Sequence, residues 1–286
     1  MTVVHHAARS HTHRVEVPVG PDTIEQAAAA LWRAGALGLW ERHDHLVAWF
    51  TEPVDAVPTG GTWSIEPDRD WQAEWKATIQ PVRAGRIRVV PTWLAAGDHG
   101  ADEPGAITIV LDPGRAFGTG HHATTTLCLE LLDSLDLDGR AVADVGCGTG
   151  VLAIAAAMRG ARAVGVDIDP DAVTVARDNA RRNGVEVEVM VGSVEALRGT
   201  ADVVVANLVT DVVVALAPRL VAATAGILIV SGIGTQRQSR VAAALTGAGA
   251  TVVAVRERDG WLAMQARVTD RGAGPGVDVS WPDPTG

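Results

Sequence analysis

Regular alternation from Thr124 onward predicts a doubly wound α/β fold, in which apolar strand-like runs take turns with helical stretches across short connections. Two further observations point to the same class. The runs before Asp144 and over residues 163–166 are continuously apolar, as parallel strands must be when both faces of their sheet are covered. Between the first run and the helical stretch 151–158 lie Gly146, Gly148 and Gly150, the kind of glycine turn that opens a βαβ unit.

From the amino end, residues 14–19 read as a strand and 23–34 as a helix capped by Asp22. Ile24, Ala27, Ala28, Leu31 and Trp32 share one face of that helix, and Gly35 stops it. Short strands at 37–40 and 46–50 complete a small α+β domain over residues 1–60, which ends in the Pro/Gly-rich stretch 53–61. Residues 61–105 are expected to be a linker. It holds a helix at 70–78, with Trp71 and Trp75 one turn apart, and a strand at 87–90; a polar loop over 95–105 then leads to a strand at 107–111.

The main domain is expected over residues 106–268. It starts with helix 124–132, the strand before the glycine turn, helix 151–158 and strand 163–166. Helix 171–182 follows, bracketed by Pro170 at its first position and Asn183-Gly184 after its last turn. Strands at 187–191 and 203–206, a helix, strand 227–230, helix 236–248 and strands 251–256 and 261–268 bring the sheet to seven strands. Residues 269–286, rich in Gly, Pro and Asp, read as a disordered tail.

The glycine turn carries the first chemical reading. Side chains there would keep a ligand from the backbone, and Asp167 stands 21 residues after Gly146, at the end of the next strand. A carboxylate at that distance can accept hydrogen bonds from ribose hydroxyls, so the expected ligand is an adenosine or a similar riboside. A dinucleotide fingerprint would place its third glycine at Val151. The observed spacing is instead G-x-G-x-G, with Asp144 two residues upstream. A carboxylate in that place repels a pyrophosphate and suits a cationic amino-acid group.

Composition narrows the partners. The net charge is −10, which disfavours a broad phosphate-binding surface and favours a basic protein or a small cation. No direct nucleic-acid or membrane partner is expected, and the chain is expected to be a monomer in the cytoplasm. No apolar run of residues 203–233 reaches ~18 residues before Asp211, Pro218 or Arg219 interrupts it. The two cysteines, Cys128 and Cys147, are too few for a disulfide framework and lack metal-site spacing. No metal site is expected, and His5, His6, His11 and His13 read as part of a frayed terminus. Tyrosine is absent, so no step can use a phenol.

A second strip, DPGRAFGTGHHATTT over residues 112–126, combines three glycines, Phe117 and the pair His121 and His122 just before the first helix of the main domain. Together with DVGCGTGVLAIAA, GVDIDP, RDNARRNGV and DVVVANL, it resembles the ribosomal protein L11 methyltransferase family (PrmA). LGLWER, DWQAEWK and PTW extend the resemblance over nearly the whole chain.

The resemblance implies a Rossmann-like methyltransferase sheet with S-adenosylmethionine as cofactor. Its implied substrate is a basic large-subunit ribosomal protein, methylated on amino groups, mainly lysine side chains with the N-terminal amine as a further candidate, and residues 1–60 are implied to recognise it. Cofactor contacts are implied at Thr125, Gly146, Asp167 and Asn207, with Asp144 and Gly148 in the same turn and Phe117, Gly118 and Thr119 as a lip. Ala123 stands where the family commonly has proline.

A lysine ammonium has no lone pair and must lose a proton before it can attack a methyl group. Water, His121 or His122 is the expected acceptor, and Asn207 is expected to orient the neutral amine. Asn207 is followed by Leu208 and Val209, not by the N-P-P-Y strip that frames flat acceptors, which suits a flexible aliphatic amine. The alternatives are a small-molecule amine N-methyltransferase of the same fold, a non-catalytic cofactor-binding protein, and a nicotinamide or flavin enzyme.

Overall fold

The computed structural model describes residues 11–20, 23–42, 44–55, 57–58, 60–67, 79–95, 105–112 and 122–268. The chain divides into two compact units, Met1–Thr78 and Ile79–Gly286. The expected helix at 70–78 and the tail 269–286 lie outside the described residues.

Among the described residues the first unit is an antiparallel sheet with one helix. Its strands are β1 (His11–Pro18), β2 (Gly38–Glu41), β3 (His45–Phe50) and β4 (Thr62–Pro67), in the order β2-β3-β1-β4. Alternation sends Val15 and Val17 of β1 and Leu46, Ala48 and Phe50 of β3 to one face, where they pack with Ile24, Ala27 and Leu31 of α1 (Ile24–Arg33). The helix cap differs from expectation. Asp22 is outside the described residues, and Thr23 makes no side-chain cap; its hydroxyl and the N–H and C=O of Gly20 bond to one another.

β4 also differs, because residues 62–67 were expected in the linker. Thr62, Trp63, Ser64 and Ile65 alternate polar and apolar, and β1 offers an open edge that this segment satisfies from Glu16↔Thr62 to His11↔Pro67. The Trp63 ring meets Phe50 edge-on, with centroids 5.4 Å apart.

The second unit contains a three-stranded sheet, β5 (Val82–Ala84), β6 (Ile87–Pro91) and β7 (Ile107–Leu111), and a seven-stranded sheet. The large sheet is built from β8 (Ala141–Val145), β9 (Arg162–Asp167), β10 (Val187–Val191), β11 (Ala201–Asn207), β12 (Thr224–Gly234), β13 (Ala250–Arg258) and β14 (Trp261–Val268). Their order is β10-β9-β8-β11-β12-β14-β13. The first five in that order are parallel, and β14 runs antiparallel between β12 and β13. Asp259 and Gly260, both at positive φ, close the β13–β14 hairpin.

Helices α2 (Ala123–Asp133), α3 (Val151–Met158) and α4 (Pro170–Arg182) pack into a core with one set of alternate strand residues. Val142, Val203, Val205 and Ile229 belong to that set. Val145, Val164, Val166, Val204 and Val230 point the other way, onto α5 (Thr210–Ala222) and α6 (Gln238–Gly247). Strand order reverses between β8 and β11, so the carboxyl ends of these two strands flank a crevice. In open α/β sheets such a switch point receives the ligand.

Candidate active site

Three expected residues meet at that carboxyl edge because parallel strands deliver their ends to one side of the sheet. Gly146 follows β8, Asp167 ends β9 and Asn207 ends β11. The first turn folds back on β9, as the N–H groups of Gly146 and Cys147 both donate to the Val166 carbonyl, at 2.8 and 3.0 Å. Asp167 is held at both oxygens. The Gly148 N–H donates to Oδ2 at 2.8 Å and the Asp169 N–H to Oδ1 at 3.0 Å, so the carboxylate is oriented by backbone before any ligand arrives.

Gly146 is required chiefly by its backbone conformation, and its missing side chain leaves room for the tip of Leu208. Its φ is +74°, and a Cβ built there would lie 2.2 Å from Leu208 Cδ2. Leu208 therefore folds across the turn. Its own backbone is pressed onto β12, where a Cβ at Gly232 would lie 2.0 Å from the Leu208 oxygen. This wedge of Leu208 between Gly146 and Gly232 sets the spacing between the glycine turn and Asn207. Sequence reasoning missed Gly232; its signal is a glycine within an otherwise apolar strand, two residues before Gly234.

Asp144 is 1% exposed, lies one residue before the end of β8 and accepts from the Ala153 N–H at 3.2 Å through Oδ2. Its Oδ1 is buried without a hydrogen bond among the described residues. Burial, with the nearby charge of Asp167 adding to it, pushes the carboxyl up to about 7, against the Ala153 hydrogen bond. A buried carboxylate with an unused oxygen fits the ammonium of an amino-acid moiety. Together with the bare Gly146 backbone and the pre-oriented Asp167, it fits S-adenosylmethionine.

Asn207 donates through Nδ2 to Thr125 Oγ1 at 3.2 Å, which joins the end of β11 to the first turn of α2. Thr125 is buried, and its N–H bonds back to the His122 carbonyl. His122 is the N-cap of α2. Its Nδ1 accepts from the Thr124 N–H and lies 2.8 Å from Thr124 Oγ1, and its ring meets Trp261 at 4.9 Å. Burial lowers the imidazole pKa and keeps the ring neutral. The cap uses the lone pair that a general base would need, so this geometry holds His122 as a structural element of the site. Phe117, Gly118, Thr119 and His121 lie outside the described residues.

Ile168 was not singled out from sequence. It is 78% exposed between Asp167 and Asp169, an apolar side chain at the ligand edge with the face that a purine base could cover. An isoleucine between two acids after a strand was its available signal. The cysteines serve packing. Cys147 fits into the space left by Gly165 and packs with Val173, Ala176 and Val189, and burial pushes its thiol up. Cys128 is fully buried and pushed up to about 12.

Sheet order and site together define a class I S-adenosylmethionine-dependent methyltransferase. The family model of ribosomal protein L11 methyltransferase (PrmA) matches residues 14–269. A ribosomal protein L11 methyltransferase of Pseudomonas paraeruginosa is 44% identical over 252 residues, 82% of this chain and 83% of the relative. One from Deinococcus radiodurans is 39% identical over 271 residues, 90% and 94% of the two chains. The crystal structure of a ribosomal protein L11 methylase from Lactobacillus delbrueckii subsp. bulgaricus superposes with a TM-score of 0.61 at 28% identity, covering 67% of this chain and all of that one. The chain belongs to the ribosomal protein L11 methyltransferase family.

Proposed function

We propose that this chain transfers methyl groups from S-adenosylmethionine to amino groups of ribosomal protein L11, with lysine side chains and the N-terminal amine as acceptors. The observation that carries the reading is the convergence, at one sheet edge, of a buried carboxylate with an unused oxygen, a pre-oriented acid and an amide held by Thr125. The cofactor supplies an electrophilic methyl group on a cationic sulfur.

The protein's part is to bind, align and keep water out. Asp144 would hold the ammonium of the donor's amino-acid end and Asp167 the ribose hydroxyls, with the Gly146 and Gly148 backbone lining the bend between them. Thr125 Oγ1 takes the Nδ2 side of Asn207, which turns Oδ1 towards the acceptor. Asn207 Oδ1 would then accept an N–H of the neutral amine and orient it for attack on the methyl group. An ammonium brought next to a cationic group and partly desolvated loses its proton more easily, so water can take that proton. Neutral His122, engaged at the helix cap, supports the wall of the site against Trp261.

Residues 1–60 recognise the protein substrate, and the net charge of −10 favours a basic one. The chain acts in the cytoplasm, where ribosomal proteins are made. Intact-mass analysis of purified L11, after incubation with this chain and labelled S-adenosylmethionine, tests the proposal. Successive one-methyl increments are expected. An unchanged L11 mass alongside methylation of a small-amine panel would replace the reading with a small-molecule N-methyltransferase.

A further inference from the structure

Among the described residues β7 is the edge of its sheet, with β6 on one side and no strand on the other. Backbone groups on such an edge need partners when they are covered, and here the cover is α4. The helix supplies them through two asparagines four residues apart. Asn183 accepts the Val110 N–H through Oδ1 and donates through Nδ2 to the Val110 carbonyl, both at 2.8 Å. Asn179 does the same for Asp112, accepting its N–H and donating to its carbonyl, both at 3.0 Å.

A carboxamide presents a donor and an acceptor side by side, as a peptide group in a ladder does. Four helical residues advance about 6.0 Å and two strand residues about 6.6 Å, so the two side chains match alternate residues of the strand. The helix face thus takes the place of a missing strand.

Asn183 turns its Nδ2 back on the Asn179 carbonyl as well, at 2.8 Å, whereas Asn179 reaches beyond the helix and the strand. Its Nδ2 also donates to the Thr149 carbonyl at 3.0 Å, and its Oδ1 receives a bond from Arg182 Nη1 at 2.7 Å, so both hydrogens and the oxygen are engaged in a fully buried side chain. Thr149 sits inside the glycine turn, next to Gly148, whose N–H orients Asp167.

We propose that Asn179 is a positioning residue of the methyl-donor site, its amide tying Asp112, just past the end of β7, to the glycine turn after β8 and so holding the turn's backbone in the ligand-binding form. The inference rests on the reading of that turn as the S-adenosylmethionine site. Asn183, the C-cap of the same helix, bonded to the same strand and to the Asn179 carbonyl but not to the turn, is its internal control.

The test uses the full-length chain as wild type, Asn179→Ala, Asn179→Asp and Asn183→Ala. Dissociation constants for S-adenosylhomocysteine are measured by calorimetry, Tm by thermal unfolding, and KM for S-adenosylmethionine and kcat with L11 as acceptor. Both alanine variants should lower Tm. Asn183→Ala should leave the dissociation constant within about twofold of wild type, whereas Asn179→Ala should raise it, and the donor KM, roughly tenfold with kcat at saturation within about threefold.

Asn179→Asp keeps the acceptor for the Asp112 N–H and for Arg182 but cannot donate to Thr149. It should weaken binding as much as alanine does. If Asn179→Ala does not fold, Asn179→Ser is read by the same criterion. Unchanged binding in the Asn179 variants, or equal weakening in Asn183→Ala, overturns the inference. Failure of the wild type to bind S-adenosylhomocysteine overturns the donor site itself, before any variant is compared.

Discussion

Replacing Asp144 by asparagine removes a charge while nearly keeping a shape, and the buried position makes the consequence large. The carboxyl moves from an ordinary value of 3.8 to about 7, mainly because burial disfavours its charged form. Between those two values the folded chain keeps a proton that the unfolded chain has released. The group's contribution to stability therefore falls as pH rises from about 4 to about 7, by about 4 kcal/mol at most.

A cationic ligand inverts the preference, since it pairs with the ionised form. With a value of about 7, only about a tenth of the unliganded chain is ionised at pH 6 and about half at pH 7, so the dissociation constant for S-adenosylhomocysteine should fall about fivefold across that interval. The ligand's own α-amino group, with an ordinary value of about 7.7–8.0, stays largely protonated in this window.

The neighbouring thiols of Cys128 and Cys147 are both pushed upward and stay neutral, and His122 is present in both proteins being compared. Calorimetry at each pH on wild type and Asp144→Asn isolates the effect. The variant should bind more weakly at pH 7 and show a flatter pH profile. A wild-type affinity that does not change between pH 6 and 7, or a variant with the same slope, would refute the pairing of Asp144 with the ligand's ammonium.

Further outcomes follow from the same geometry. Asn207→Ala removes the amide that Thr125 orients, and turnover of L11 should fall by roughly 10- to 100-fold with little change in Tm; unchanged kcat and donor KM would remove Asn207 from the mechanism. Gly146→Ala combines a left-handed backbone with a methyl group driven onto Leu208, so thermal unfolding should register a loss of ~1–3 kcal/mol together with weaker S-adenosylhomocysteine binding. A net charge of −10 should make association with basic L11 faster at low ionic strength, and stopped-flow rates that stay flat with salt would argue against steering.

Much of this protein is legible in one dimension. The alternation after residue 124, the glycine turn and the acid 21 residues beyond Gly146 are local in the chain, since periodicity and turn chemistry are decided among near neighbours. They were enough to predict the doubly wound sheet and to bring Asp144, Gly146, Gly148 and Asp167 together. The edge strand β4 was missed because its pattern is short and its partner, β1, lies far back in the chain.

What only the tertiary structure decided are contacts across long sequence separations. Asn207 meets Thr125 because β11 ends where α2 begins. Leu208 is wedged between Gly146 and Gly232 because β11 lies between β8 and β12. Asn179 reaches both Asp112 and Thr149 because α4 covers the open edge of β7. His122, one of three proton acceptors the sequence offered, beside water and His121, caps α2 where the starts of α2 and β14 meet. Residue type announces that an amide or imidazole can bond; strand order and burial choose the partner.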